Sequence, residues 1–566
     1  MAYPEAAEDG RNVMRPVLEQ YAEDVAALRR YCSIPLAAND LGKQRAFFQA
    51  AQGRLREMDF AGMGHAERLD YLLFRSQLAY ELHTLERREE FDQATRESIP
   101  FADAIVRFAQ RRRSVERIDP RACAGELAEL ARLVGAARRA LEEQLEAAGH
   151  ADEPPVRQTA AQRSAFALDR LRKALKEAYE FYHDYDPQFT WWASVPYERA
   201  DKALDAYATF LREEVLGLTD DDADDPPVVG TPVGRQALLD GLARAMVPYS
   251  PEELIAIGNA ELSWCEREMV RASRELGCGD EWHDALEQVK QDFVAPGEQP
   301  YLIRDLATEA IQFLEEHQLI TIPALACQTW RMDMMSPERQ KVNPFFTGGE
   351  TITVSYPTST MAHEQKLMSL RGNNAHFSRA TVQHELIPGH HLQGFMARRH
   401  RPYRRVFATP FFWEGWALHW EMLLWDLGFA HTPADRIGML FWRMHRCARI
   451  IFSLRFHLGE MTAEECIEFL IARVGFEPAN ASGEVRRSFG PEANPLYQCA
   501  YMVGGLQFRA LHRELVGSGR MSACEFHDAL LREGAIPVEM VRAALTGQEL
   551  TEDFACCWRF HGDGPW

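Results

Sequence analysis

Lysine is scarce in this chain and long apolar runs are absent from it. Only seven of the 63 basic residues are lysines, a compositional bias, and the 84 acidic residues leave a net charge of −21. Such a balance repels polyanions and speaks against nucleic acid or an anionic membrane as a partner. No stretch approaches the ~20 consecutive apolar residues of a membrane-spanning helix. The first nine residues, Met-Ala-Tyr-Pro-Glu-Ala-Ala-Glu-Asp, lack the basic segment and apolar core of a secretory signal. Paired cysteine spacing is missing as well. Eleven cysteines are scattered, and only Cys556 and Cys557 are adjacent. That excludes a disulfide framework, fits a reducing compartment and leaves most cysteines as small core residues. The expectation is a cytoplasmic protein.

What is present is a concentration of histidine. Ten of the 19 lie between positions 363 and 457, where even spreading would place about three. The densest run is His384-Glu385-Leu386-Ile387-Pro388-Gly389-His390-His391. In the zinc-peptidase pattern His-Glu-x-x-His the two imidazoles stand one helical turn apart and share a metal, with the Glu beside the reacting water. Here Pro388 occupies the second imidazole's place. On a straight helix His390 would be about 9 Å further along and turned by roughly 240°, out of reach of any ion on His384. Proline removes a helical hydrogen bond and glycine tolerates unusual backbone angles. The pair therefore predicts two residues looped out as a bulge within the helix, which brings His390 to the second ligand position. His391 then points elsewhere, behind the ligands or towards the substrate.

Downstream, Phe411 to Glu421 reads as a buried helix whose carboxylates need partners. Glu414 is the expected third ligand. Glu421, seven residues on and on nearly the same face, is expected to orient a ligand imidazole. His363-Glu364 is a decoy with no second imidazole at a useful offset. A hydrogen-bonded structural cluster of histidines is the alternative reading.

The segment His-Glu-x-x-Pro-Gly-His-His-Leu-Gln (384 to 393), with Glu-Gly-Trp-Ala-Leu (414 to 418), resembles the signature of a bacterial family known as domain of unknown function 885. That family is similar in fold to the thimet-oligopeptidase-like gluzincins, whose Gly-His-x-Leu ligand segment matches Gly389 to Leu392. The likeness is strong over roughly 345 to 515 and architectural before it. It implies a mostly α, two-lobed helical metallopeptidase with a small β-sheet beside the active-site helix. Zn²⁺ would be held by His384, His390 and Glu414, with Glu385 as the general base. The segment 495 to 504 also resembles the family. Tyr501, three residues before Gly504, is the expected donor to the oxyanion, or else a core tyrosine, and Tyr497 lies one turn earlier. Arg371, His376, Arg486 and Arg487 could each bind a substrate carboxylate, and spacing selects none of them.

The activity expected is zinc-dependent hydrolysis of short peptides, with metal-activated water. Two other functions compete. Two His and one carboxylate also describe non-haem iron oxygenases, although those need no adjacent base. A catalytically inactive metal-binding or peptide-binding protein of the same fold is the third. Oligomeric state is not encoded in the sequence.

With 566 residues, 46% of them hydrophobic and 26% charged, the chain exceeds one ordinary core. The expected division is a helical N-terminal lobe, 1–225, and a catalytic lobe, 226–566, or one continuous clamshell. Ala124 to Ala147 and Ala160 to Tyr182 have the spacing of long amphipathic helices. Leu218 to Pro227, with five Asp and two Pro, reads as an acidic connection. Ser250-Pro251-Glu252-Glu253 starts a helix through a capping box. Strands are expected only at Leu319 to Pro323 and Glu350 to Tyr356, with turns at Asn343-Pro344 and Gly348-Gly349.

Overall fold

Amphipathic helical segments dominate the sequence, and helices dominate the structure, a computed structural model that describes residues 12–148, 154–218, 228–342, 345–490 and 493–562. The chain forms two compact units. One contains Met1–Ala22, Met58–Gln77 and Pro232–Trp566, the other Glu23–Glu57 and Leu78–Thr231. The expected boundary at 225/226 lies close to the final crossing at 231/232. The expected N-terminal lobe is not one block, however, because two early segments join the unit formed by the C-terminal half.

The unit built around residues 78–231 contains the long helices Pro120–Ala148 and Pro154–Tyr182, at the places where the apolar spacing predicts them. Their apolar faces, with Leu127, Leu130, Leu168, Leu171 and Leu175, close over Phe189, Leu204 and Tyr207 of the helix Pro187–Phe210. Of the acidic connection, residues 219–227 lie outside the described residues.

In the other unit Ser250 caps the helix Pro251–Leu276 with the expected box: its hydroxyl accepts from Glu253 N, and the Glu253 carboxylate accepts from Ser250 N. Six helices form the site: α1 (Ala375–Glu385), α2 (His390–Ala397), α3 (Pro410–Asp426), α4 (Pro433–Leu458), α5 (Pro478–Ser488) and α6 (Tyr497–His512). α4 is buried on nearly every side, and its three buried arginines are matched by buried carboxylates: Arg443 with Glu261, Arg446 with Glu421, Arg449 with Glu484. α3 and α6 cross in contact. A Cβ on Gly415 would stand 2.5 Å from Gly504 Cα, so only glycine allows this approach. The crossing sets Glu414 against Tyr497.

The sheet has two parallel strands, β1 (Arg331–Met334) and β2 (Thr351–Val354), with Arg331 opposite Thr351 and Met334 opposite Val354. β2 is the core of the expected 350–356 strand. Its Ile352 and Val354 pack on Val382 and Leu386 at the end of α1, so the sheet does flank the motif. The other expected strand, 319–323, does not form. The helix Ala523–Glu533 takes the place of a partner strand: Asp528 accepts from Thr321 N, and His527 Nδ1 lies 2.8 Å from Leu319 O. β1 is instead the polar sequence Arg-Met-Asp-Met, mostly exposed, which carries no strand pattern. The Gly348-Gly349 turn is present, with Gly349 at φ +125°. Asn343-Pro344 lies outside the described residues.

Candidate metal centre

Asn374 starts α1 by accepting from His376 N and Phe377 N, and the helix runs to Glu385. The chain then differs from the expected bulge: the helix stops, turns through Leu386–Gly389 with a cis Ile387–Pro388 peptide, and restarts at His390. The turn is closed by its own backbone, Gly389 N donating to Gln383 O at 3.0 Å and His391 N to Leu386 O at 3.1 Å. Trp416 Nε1 donates to Pro388 O from α3 at 2.9 Å. A Cβ on residue 389 would overlap the His384 carbonyl, which explains the glycine. The consequence predicted from the bulge is realised by this turn. The rings of His384 and His390 stand 4.8 Å apart between centroids, at 89°.

Glu414 completes the group. Its Oε2 lies 3.6 Å from His384 Nε2 and 3.2 Å from His390 Nε2. Two atoms each ~2.05 Å from one tetrahedral ion stand roughly 3.3 Å apart, so these separations suit a shared Zn²⁺. Buried Oε2 accepts no hydrogen bond of normal geometry, whereas Oε1 accepts from the Tyr497 hydroxyl. A buried carboxylate oxygen facing two imidazole nitrogens is an arrangement that a divalent cation would fit. Among the described residues, His384, His390 and Glu414 are the one group of three or more donors that could hold a metal ion.

The far sides of both rings are held. His384 Nδ1 is 2.6 Å from Glu421 Oε1, which also lies 3.5 Å from an Arg446 nitrogen. Glu421 thus occupies the position the sequence assigns to it. His390 Nδ1 faces Gln393 Oε1 at 3.4 Å, and Gln393 Nε2 donates to Phe412 O at 3.0 Å. Sequence reasoning missed Gln393 and Arg446. Gln393 stands three residues after His390, one helical turn away, and could have been found.

Electrostatics separate the carboxylates. Burial would lower the pKa of His384, but Glu414 and Glu421 outweigh it and hold the imidazole up at about 9. Burial would raise Glu414, but His390 and His384 outweigh it and hold the carboxyl well below its usual range. Glu385 is raised, chiefly by burial. Its carboxylate is covered by the Gly348 turn, where any Cβ would overlap it. This glycine is a further residue that sequence reasoning did not connect to the site.

Glu385, His390, Glu414, Tyr497 and Tyr501 all line one cavity of about 950 Å³. The Tyr501 hydroxyl donates to Tyr497 at 3.4 Å, and its ring lies 6.0 Å from that of His384 with Arg449 4.4 Å over its face. His391 turns away, its Nε2 2.8 Å from the carbonyl of Ala326, so it anchors the short helix Ala324–Thr329. His363 and Glu364 are exposed.

The family model described as "Bacterial protein of unknown function (DUF885)" matches residues 35–545. No curated protein matches the sequence. Two solved structures share the fold. One, described as a lipoprotein of unknown function from Shewanella oneidensis, is 15% identical with a TM-score of 0.64 over 94% of this chain and 99% of that one. The other, described as a lipoprotein from Colwellia psychrerythraea, is 15% identical with a TM-score of 0.59 over 95% of this chain and 98% of its own. Among the described residues no helix is long and apolar enough to cross a membrane.

Proposed function

We propose, from the premise that the chain belongs to the bacterial family of unknown function DUF885, that it is a zinc-dependent hydrolase of short peptides with a gluzincin-like catalytic unit. The observation that carries this reading is the convergence of buried Glu414 Oε2 on the two imidazole nitrogens, at 3.2 and 3.6 Å, with the Glu385 carboxylate on the same cavity wall. His384, His390 and Glu414 would hold the ion. Zinc, when bound, acidifies a water and polarises a carbonyl at neutral pH.

The chain's own residues supply the rest. Glu385, raised by burial, takes a proton from water and returns it to the leaving amine. Tyr501, whose hydroxyl is kept protonated by burial, offers a hydrogen bond to the carbonyl oxygen as charge develops there. Tyr497 orients Glu414 so that Oε2 faces the imidazoles. Phe346, Pro410 and Trp413 give apolar cover to the cavity, which accepts an extended peptide a few residues long.

Glu385 favours hydrolysis over iron-dependent oxidation, which needs no base beside the ligands. A cytoplasmic location belongs to the same proposal and is supported by eleven cysteines with no disulfide among them. Cell fractionation tests it against the membrane association that the word lipoprotein in the descriptions of the similar structures suggests.

The test is cleavage of a mixed short-peptide library by the zinc-loaded protein, run beside Glu385→Gln. The expected result is turnover that chelation removes, lowered at least about 10²-fold in the variant. Undiminished cleavage by Glu385→Gln would remove the base from the account. Metal binding without turnover in the parent protein would favour the binding protein.

A further inference from the structure

Among the described residues, four arginines and two glutamates supply the charged groups of the cavity wall. Both glutamates belong to the centre, Glu414 between the imidazoles and Glu385 beside them. Among the described residues every other charge on the wall is cationic. Arg398, Arg401 and Arg405 come from α2's end and the turn after it, where Arg401 engages Glu533 and Arg398 lies 3.9 Å from Glu350. Arg487 comes from α5 and shares the cavity with Tyr497 and Tyr501.

Spacing cannot choose among Arg371, His376, Arg486 and Arg487 as carboxylate binders, and the structure does. Arg371 faces Glu477 at 3.9 Å, and His376 stands between Asp292 and Asp435 at 2.9 and 2.8 Å. Neither lines the cavity, nor does Arg486. Arg487 does, and it is held from behind. Its Nε lies 3.6 Å from Glu484, a buried carboxylate that also accepts from Arg449 at 2.6 Å. Arg449 in turn lies over the Tyr501 ring. Glu484 therefore ties Arg487, through Nε, on the same cavity wall as the Tyr501 hydroxyl that would meet a scissile carbonyl. A planar fork matches a carboxylate in geometry and charge.

We infer that Arg487 receives a carboxylate of the substrate, so that the peptides this site takes are anionic. The carboxylate is either the free C-terminus or an acidic side chain close to the scissile bond. This rests on the hydrolase reading above.

Four N-acetylated tetrapeptides test it: free acid or amide at the C-terminus, each with Glu or Gln at the third residue. Their binding to the zinc-loaded Glu385→Gln protein is read by calorimetry, which needs no turnover. Absence of cleavage by the parent protein would sink the hydrolase reading and leave this measurement standing. Removing the recognised carboxylate should weaken binding about tenfold or more, and the arm that responds identifies its source. Arg487→Gln should abolish the discrimination, Arg487→Lys should keep part of it, and Arg371→Gln should leave it intact. Equal binding of the four peptides, no binding by any, or full discrimination in folded Arg487→Gln would each overturn the assignment. If Arg487→Gln does not fold, the peptide comparison and Arg487→Lys decide.

Discussion

Glu385 and Glu414 carry the same functional group at the same centre, and their surroundings push them apart. Two imidazoles keep Glu414 ionised, whereas burial favours the protonated form of Glu385. This division suits a ligand and a proton carrier. Both residues were legible in the sequence, because a carboxylate beside a histidine and another on an apolar helix each need an explanation. Glu421 was legible for the same reason, seven residues after Glu414. Arg446 and Gly348 were not, since their relation to the centre depends on chain segments brought together only by folding. The tie from Glu421 to His384 Nδ1 fixes the ring so that Nε2 faces the ligand group. Glu421→Ala should therefore weaken zinc binding about 10–100-fold, read by competition with a chromophoric chelator. Unchanged affinity in that variant would reduce Glu421 to a structural partner of Arg446.

At the scale of elements, Pro388 and Gly389 announced that the helix could not run straight from His384 to His391. The sequence did not distinguish a bulge from a full stop, because both relieve the same proline clash. What decides it is tertiary: Trp416 reaches Pro388 O from α3. The failed strand at 319–323 has a similar origin, Leu319 and Thr321 being bound by His527 and Asp528 rather than by a second strand. The Gly348 turn lies directly on the Glu385 carboxylate. Gly348→Ala should push that carboxylate out of position and lower hydrolysis about 10²-fold, as small misplacements of reacting groups do, while helicity by circular dichroism and zinc content stay at the parent's values. Parental activity in Gly348→Ala would show that the turn yields and that Glu385 is not held by it.

At the scale of the whole molecule, helix content was readable from spacing, and two lobes, or one clamshell, were the expectation from length. The interleaving of the two units was not readable, because the placement of Met58–Gln77 with the C-terminal half depends on long-range packing without a local signal. The fold also buries histidines away from the centre. His457 is one of them; among the described residues neither ring nitrogen has a hydrogen-bond partner, and burial lowers its pKa from 6.5 to about 4. A group with a lowered pKa contributes stability above its ordinary value and loses it as pH falls. Between pH 6.5 and 4 this residue alone should cost the folded state up to about 3 kcal/mol. His457→Leu should flatten the acid side of the thermal-unfolding profile, and an unchanged profile would place the sensitivity elsewhere. The metal content of purified protein, measured by mass spectrometry for the parent, Glu385→Gln and His390→Ala, reads the metal centre itself. One zinc per chain in the first two and a loss in the third is the predicted result. A parent protein that takes up no stoichiometric metal when zinc is supplied, or a His390→Ala variant that holds it as tightly, would contradict the account.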